Sequence, residues 1–140
     1  MFGHPLHPAL VHFPIGLLLS ATLADLAHLA GLTGDVHFAA VLMAAGLAAA
    51  LLAMAAGMVD FARLDEAVVP HAVPHMIAVG TAWLGYGLAL YLRRDVLSGG
   101  TTVAMSSIAV SVVSAAILAL GGWLGGRLVY TFGAGVTKPR

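Results

Sequence analysis

The chain has 140 residues, of which 61% are hydrophobic and only 9% are charged. Six basic and six acidic residues are too few for the charged shell of a soluble domain this size, so we expect the bilayer to be the solvent. Their balance leaves no basic patch for a nucleic acid. The lack of cysteine excludes disulfides, cysteine-ligated iron–sulfur clusters and covalently attached c-type haem.

Charged residues mark the ends of four apolar segments. Because an unpaired charge at bilayer depth costs about 2.5–3.5 kcal/mol, runs without charge predict the membrane crossings. Each predicted span exceeds the ~20 residues that a transmembrane helix needs. The spans are residues 1–24, extended past a tolerated Asp25 to about residue 32, and then 36–59, 67–92 and 96–126.

The short connections between these spans predict one domain over residues 1–140. We expect an all-α fold, an integral membrane four-helix bundle with up-down-up-down topology. An even number of crossings puts both termini on one side of the membrane, which we call the terminal face. Lys and Arg residues are slightly more numerous there than on the opposite face, so the positive-inside rule predicts a cytoplasmic terminal face.

Small residues on the fourth segment predict close helix contacts. In lipid, apolar helices associate through close approach of their backbones rather than through a hydrophobic drive. The candidates are two glycine pairs and three serines at helical spacing: Gly121 with Gly125, Gly122 with Gly126, and Ser107, Ser111 and Ser114.

Histidines concentrate on the terminal face. Pro8 and Pro70 suit the first turn of a helix, where a missing N–H costs nothing, and these positions place His12 and His75 at similar depth. Pro14 removes a backbone hydrogen bond beside His12 and predicts a bend. Five of the seven histidines fall on this face, on two different helices: His4, His7, His12, His71 and His75.

Imidazoles at facing positions of a helix bundle suit axial ligation of a haem, with one histidine from each of two helices. We therefore expect haem b as the cofactor. His12 and His75 form the first axial pair in this prediction, and His7 and His71 are their substitutes.

Further residues complete the predicted haem site. Arg127 would pair with a propionate, and Trp123 and Tyr130 would lie next to the ligands. On the opposite face, His28 and His37 are candidates for a second haem, although they flank a short hairpin where water can reach both.

Two other interpretations remain open. The histidines can form a nitrogen-rich site for zinc, copper or iron, in a protein that binds or transports the metal. They can also be interfacial residues of a structural subunit without a cofactor. The sequence contains neither an H-E-x-x-H motif nor a nucleophile beside a base, which are the patterns that would indicate an enzyme. The candidate metal ligands are His4, His7, His71, His75 and Asp60.

Three stretches carry a family resemblance. "HPLHPALVHFPIGLLLSA", "GMVDFARL" and "GGWLGGRLVYTFGAGV" resemble the small bacterial membrane proteins grouped as domain of unknown function 2231, over nearly the whole chain. The resemblance implies a four-helix integral membrane protein. In the family we expect a histidine after the "LVY" element, where this chain has Phe132, and a single histidine where it has "HAVPH". The choice between His71 and His75 therefore stays open.

The same family is similar to the four-helix haem-binding cytochromes b in size and histidine placement. Its domain is associated in some bacteria with c-type cytochrome modules, which implies a redox setting. The combined prediction is a haem b protein of the bacterial inner membrane that passes electrons between the quinone pool and a cytochrome c-type partner. A homo-oligomer is compatible with this prediction.

Overall fold

The computed structural model describes residues 6–33 and 35–134, which form six helices and no strand. Two short helices, α1 and α5, accompany four long ones. The predicted all-α fold is confirmed. The helices are α1 (Leu6–Leu10), α2 (His12–Leu29), α3 (Val36–Phe61), α4 (Val69–Leu92), α5 (Arg94–Leu97) and α6 (Met105–Tyr130).

Four stretches of the described chain are long and apolar enough to cross a membrane, and α1 and α2 together supply the first. At 1.5 Å per residue, their lengths of 23 to 26 residues exceed a hydrocarbon core of ~30 Å. Large apolar side chains such as Leu52 and Leu84 are exposed on their outer faces, as contact with lipid requires. The predicted membrane bundle is confirmed, with spans His7–Leu29, Val36–Phe61, Val69–Leu92 and Met105–Tyr130.

The fourth span begins at Met105, whereas the sequence predicted a start at residue 96. After α5, the N–H of Gly100 donates to the carbonyl of Asp95 at 2.8 Å. Gly99 adopts a φ of +97°, which residues with a side chain rarely reach, so it ends the short helix. The uncharged stretch between 96 and 104 thus contains the end of α5 and a loop of uncharged residues, and not the start of the fourth span.

Prolines lie close to the terminal-face histidines of both helices. Helix α4 begins at Val69, directly before the expected Pro70, and α1 is described from Leu6, with Pro8 as its third residue. Pro14 has no N–H for the carbonyl of Leu10, and the helix is interrupted at Val11, between α1 and α2. The predicted disturbance therefore lies one turn before Pro14.

The four long helices form two hairpins. Helix α2 packs along α3, and α4 packs along α6, whereas fewer contacts connect the two pairs. We call α1, α2 and α3 the first hairpin, and α4, α5 and α6 the second. The indole N–H of Trp83 on α4 donates to the carbonyl of Leu47 on α3 at 3.2 Å and joins the hairpins near mid-membrane.

The two hairpins are equivalent after a shift of 68 residues. In the first, Nδ1 of His7 lies 2.7 Å from the carbonyl oxygen of Ala53; in the second, Nδ1 of His75 lies 2.8 Å from that of Gly121. Both hydrogen bonds join residues 46 positions apart. The structure thus contains an internal repeat of one two-helix unit.

Equivalent residues of the repeat meet at the centre of the bundle. The ring of His7 faces that of its equivalent His75, and Asp25 forms an ion pair with its equivalent Arg93. Residues that contact their own equivalents lie at a twofold axis. Because each hairpin crosses the membrane twice, both have the same orientation, and this pseudo-twofold axis runs along the membrane normal.

Candidate functional site

His7 and His75 form the central pair of the terminal half of the bundle. Their ring centroids are 6.4 Å apart, and the ring planes make an angle of 78°. One imidazole comes from each hairpin, at equivalent positions of the repeat. The structure thus brings together one residue of the predicted first axial pair and one of its substitutes.

Each imidazole of the pair is fixed by a backbone carbonyl of its own hairpin. Since a carbonyl only accepts hydrogen bonds, Nδ1 of His7 carries a proton and donates to Ala53, and Nδ1 of His75 donates to Gly121. In the neutral ring, Nε2 then keeps its lone pair. Histidines that bind metals are usually oriented in this way, with the remote N–H held by a carbonyl or a carboxylate.

Two equivalent glycines make room for these rings. A Cβ on Gly57 would lie 2.9 Å from Nδ1 of His7, and one on Gly125 would lie 2.9 Å from Cε1 of His75. Contacts this short require the ring to move. Gly57 and Gly125 therefore let each imidazole lie against the partner helix of its hairpin. The predicted packing role of Gly121 and Gly125 holds, whereas Gly122 is exposed.

His71 lies one helical turn before His75, towards the terminal face. Its ring stacks on Phe132 with centroids 4.0 Å apart and an interplanar angle of 13°. The residue that replaces the expected histidine after "LVY" therefore packs against His71, which is still exposed. Within the described part of the chain, His75 is the histidine of "HAVPH" that meets an imidazole from the other hairpin.

The other residues predicted around the haem face outwards. His12 is exposed on the surface of α2. The guanidinium of Arg127 lies 5.1 Å from the ring of Trp123, and both side chains are exposed. Tyr130 is 91% exposed. Trp123, Arg127 and Tyr130 lie on the face of α6 turned away from Gly125, since steps of two and five residues turn a helix by about 200° and about 140°.

The predicted metal set is only partly described. His4 lies outside the described residues. Asp60 is half-buried near the end of α3. Among residues 6–33 and 35–134, no group of three or more histidine, aspartate or glutamate side chains is placed to hold a metal ion.

Each of the two histidines of the opposite face bonds to a backbone carbonyl near a helix end. Nδ1 of His28 donates to the carbonyl of Thr33 at 3.1 Å, and that of His37 donates to the carbonyl of Val96 at 3.2 Å. Each ring thus fastens the chain next to a helix end. A second haem between His28 and His37 stays a prediction.

An ion pair between Asp25 and Arg93 is a feature that the sequence interpretation missed. Nη1 and Nη2 of Arg93 donate to the two carboxylate oxygens of Asp25 at 2.7 and 2.8 Å. Both residues are only 2% exposed. The pair lies between the hairpins, near the end of the bundle opposite the terminal face.

Hydroxyl groups of α6 complete this cluster. Nε of Arg93 donates to Oγ of Ser107 at 2.7 Å, and Ser107 donates in turn to the carbonyl of Ala89 at 2.7 Å. Oγ of Ser111 lies 2.9 Å from Oδ2 of Asp25. The spaced serines thus do more than allow close helix packing, because two of them solvate a buried charge.

One signal in the sequence could have revealed the pair. Asp25 is the only charged residue inside the first span, and Arg93 ends the third span on the same side of the membrane. Ionisable groups within a membrane usually pair with one another. A search for the partner of Asp25 at equal depth would have reached Arg93.

No curated protein and no solved structure matches the chain. A family profile described as "Predicted membrane protein (DUF2231)" matches residues 3–138. This match covers nearly the whole sequence and agrees with the four membrane spans of the structure. The chain therefore belongs to the DUF2231 family of predicted membrane proteins.

Proposed function

We propose that this membrane protein binds haem b between its two hairpins and transfers electrons, with His7 and His75 as the axial ligands. The observation that carries the proposal is the meeting of these two imidazoles across the pseudo-twofold axis, each with Nδ1 held by a backbone carbonyl. This replaces the initial axial pair of His12 and His75, because His12 is exposed on the outer surface.

The separation of the rings supports the proposal. Two imidazoles that bind one metal from opposite sides, with nitrogen–metal distances near 2.0 Å, have ring centroids about 6 Å apart. His7 and His75 have centroids 6.4 Å apart. The number of ligands also fits, because an electron-transfer haem that the protein ligates on both faces takes two side chains, whereas a structural zinc site takes four.

The buried side chains of the terminal half are mostly small, which favours insertion of a planar macrocycle. Most buried residues of the terminal half are Ala, Gly or Pro, whereas the opposite half buries larger groups such as Met43 and Tyr86. The contacts between hairpins are also fewer than those within them. The buried residues of the terminal half are Pro14, Ala50, Ala53, Ala72, Ala78, Gly121 and Leu128.

The chain contributes orientation and insulation to the proposed reaction. Haem iron supplies one-electron redox chemistry, and ligation by two histidines leaves no open position for a substrate. The carbonyls of Ala53 and Gly121 hold the imidazoles, so little reorganisation accompanies a change of charge. We infer a place in the bacterial inner membrane, with quinone and a cytochrome c-type protein as redox partners and a cytoplasmic terminal face.

Absorption spectroscopy tests the proposal. The protein is expressed with an ample supply of haem, purified in detergent, and measured in its oxidised and reduced forms. We expect a Soret band, a sharp α band after reduction, and one haem per chain. Since the ring planes lie at 78°, we also expect the strongly anisotropic low-spin ferric EPR signal that is typical of perpendicular imidazole ligands.

Alanine variants assign the ligands. His7→Ala and His75→Ala should each abolish the low-spin spectrum, whereas the matched control His12→Ala should keep it, because that ring is exposed. A wild-type protein without a Soret band after full haem supply contradicts the proposal. Elemental analysis of the same sample then separates the metal-ion alternative, with stoichiometric zinc, copper or iron, from a structural subunit without a cofactor.

A further inference from the structure

We propose that the buried pair of Asp25 and Arg93 selects how the two hairpins of the repeat associate. The axis-facing surface of each hairpin is an interaction surface, and its partner is a hairpin with the opposite charge at the equivalent position. This inference rests on the repeat and the ion pair alone and needs no haem.

Because the two hairpins are similar, hairpins could associate in incorrect combinations, and the ion pair disfavours these combinations. Two similar hairpins can associate as first with second, but also as first with first or second with second from different copies of the chain. Asp25 and Arg93 are equivalent residues that meet at the axis. Association of two first hairpins would bring two aspartates together, and association of two second hairpins would bring two arginines together. Like charges repel strongly where water is excluded, so only unlike hairpins fit.

The hydrogen bonding of the cluster favours this role over transport of an ion or a proton. Asp25 accepts from Nη1 and Nη2 of Arg93 and from Ser111, while the Nε–H of Arg93 donates to Ser107. Among the described residues, no buried side-chain nitrogen or oxygen lacks a hydrogen-bond partner. A network in which each of these atoms already has a partner within the protein holds the two surfaces together.

The supporting hydroxyls also distinguish the two halves. Ser107 and Ser111 lie on α6, and their equivalents on α3 are Ala39 and Met43, which are buried but cannot donate hydrogen bonds. An arginine at position 93 therefore finds Ser107 as an acceptor for its Nε–H. An arginine at position 25 would face Ala39 instead. The pair is thus built for aspartate in the first hairpin and arginine in the second.

Charge exchange in the full-length protein tests the proposal. Asp25→Arg and Arg93→Asp place like charges at the axis, and each should lower the yield of folded monomer in detergent at least tenfold. The exchange variant Asp25→Arg with Arg93→Asp should recover much of that yield. Addition of Ala39→Ser should raise the yield further, because it restores an acceptor for the arginine Nε–H. An exchange variant no better than either single variant overturns the proposal.

A second measurement covers the case in which the exchanged pair does not fold. Asp25→Asn with Arg93→Gln removes both charges and keeps polar groups, so the selection between hairpins should be lost. Two differently tagged copies of this neutral variant, co-expressed, should co-purify several-fold more than two wild-type copies. Equal co-purification of neutral and wild-type copies overturns the proposal, whatever the haem content.

Discussion

The substitution Gly125→Ala directly tests the close contact between the His75 ring and helix α6. A Cβ at this position would lie 2.9 Å from Cε1 of His75 and 3.1 Å from its Nδ1. The ring must then move away from α6, and its hydrogen bond to the carbonyl of Gly121 must stretch or break. Gly122 is a matched control on the same helix, because a Cβ there has no neighbour within 4 Å.

The magnitude follows from three contributions. Overpacking a close contact between helices costs about 1–3 kcal/mol. Loss of the hydrogen bond of His75 adds about 1 kcal/mol, and the better helix propensity of alanine returns about 1 kcal/mol. We therefore expect Gly125→Ala to lower the free energy of unfolding by about 1–3 kcal/mol. Gly122→Ala should raise it by up to ~1 kcal/mol.

The assay is unfolding in mixed micelles of a mild detergent and sodium dodecyl sulfate, followed by circular dichroism. The equivalent substitution Gly57→Ala should behave like Gly125→Ala, because its Cβ would meet Nδ1 of His7 at 2.9 Å. Equal stability of the Gly125→Ala and Gly122→Ala proteins would refute the close contact between the His75 ring and Gly125. A loss confined to one hairpin would refute the equivalence of the two sites.

Three further substitutions test other parts of the bundle by the same unfolding assay. Tyr86→Phe removes the buried hydroxyl that lies 2.8 Å from Oγ1 of Thr22, and should lower the free energy of unfolding by about 1 kcal/mol; no change means that this bond adds nothing net. Asp35→Ala removes the side chain that caps α3 and should also cost about 1 kcal/mol, a loss that Asp35→Asn should largely spare. Gly99→Ala places a residue with a side chain at a backbone φ of +97° and should lower the free energy of unfolding by about 1–2 kcal/mol. An unchanged stability would show that this loop adopts another conformation.

The number of crossings could be predicted from the sequence because charge is costly at bilayer depth. The same argument placed the start of the fourth helix too early, since a loop of small uncharged residues before Met105 also carries no charge. The same argument also treated Asp25 as a charge that the first span tolerates, because it considered each charge without its partner. The cost of a buried charge depends on its partner, and Arg93 lies in the other half of the chain.

The sequence predicted a pair of histidines from two helices of the terminal face, but it matched His75 in depth with His12, whereas His75 meets His7. The position of a side chain in a helix bundle depends on its depth along the helix and on its rotation about the helix axis. Counting residues from a proline addresses only the depth. His12 follows His7 by five residues, which turns its side chain by about 140° to the outside. The contact between His7 and His75 depends on where α1 bends and on the glycines of α3 and α6, and these follow from packing between helices.

The repeat has diverged unevenly along the membrane normal. At the terminal face, each hairpin contributes a histidine, a backbone carbonyl that accepts its hydrogen bond, and a glycine that makes room for the ring. At the opposite end, one hairpin contributes an aspartate and the other an arginine. A molecule bound on the axis beside His7 and His75 therefore meets nearly the same surroundings after a half-turn. An asymmetric planar ligand will occupy two flipped orientations of similar free energy, and will give two sets of ligand resonances in an NMR spectrum.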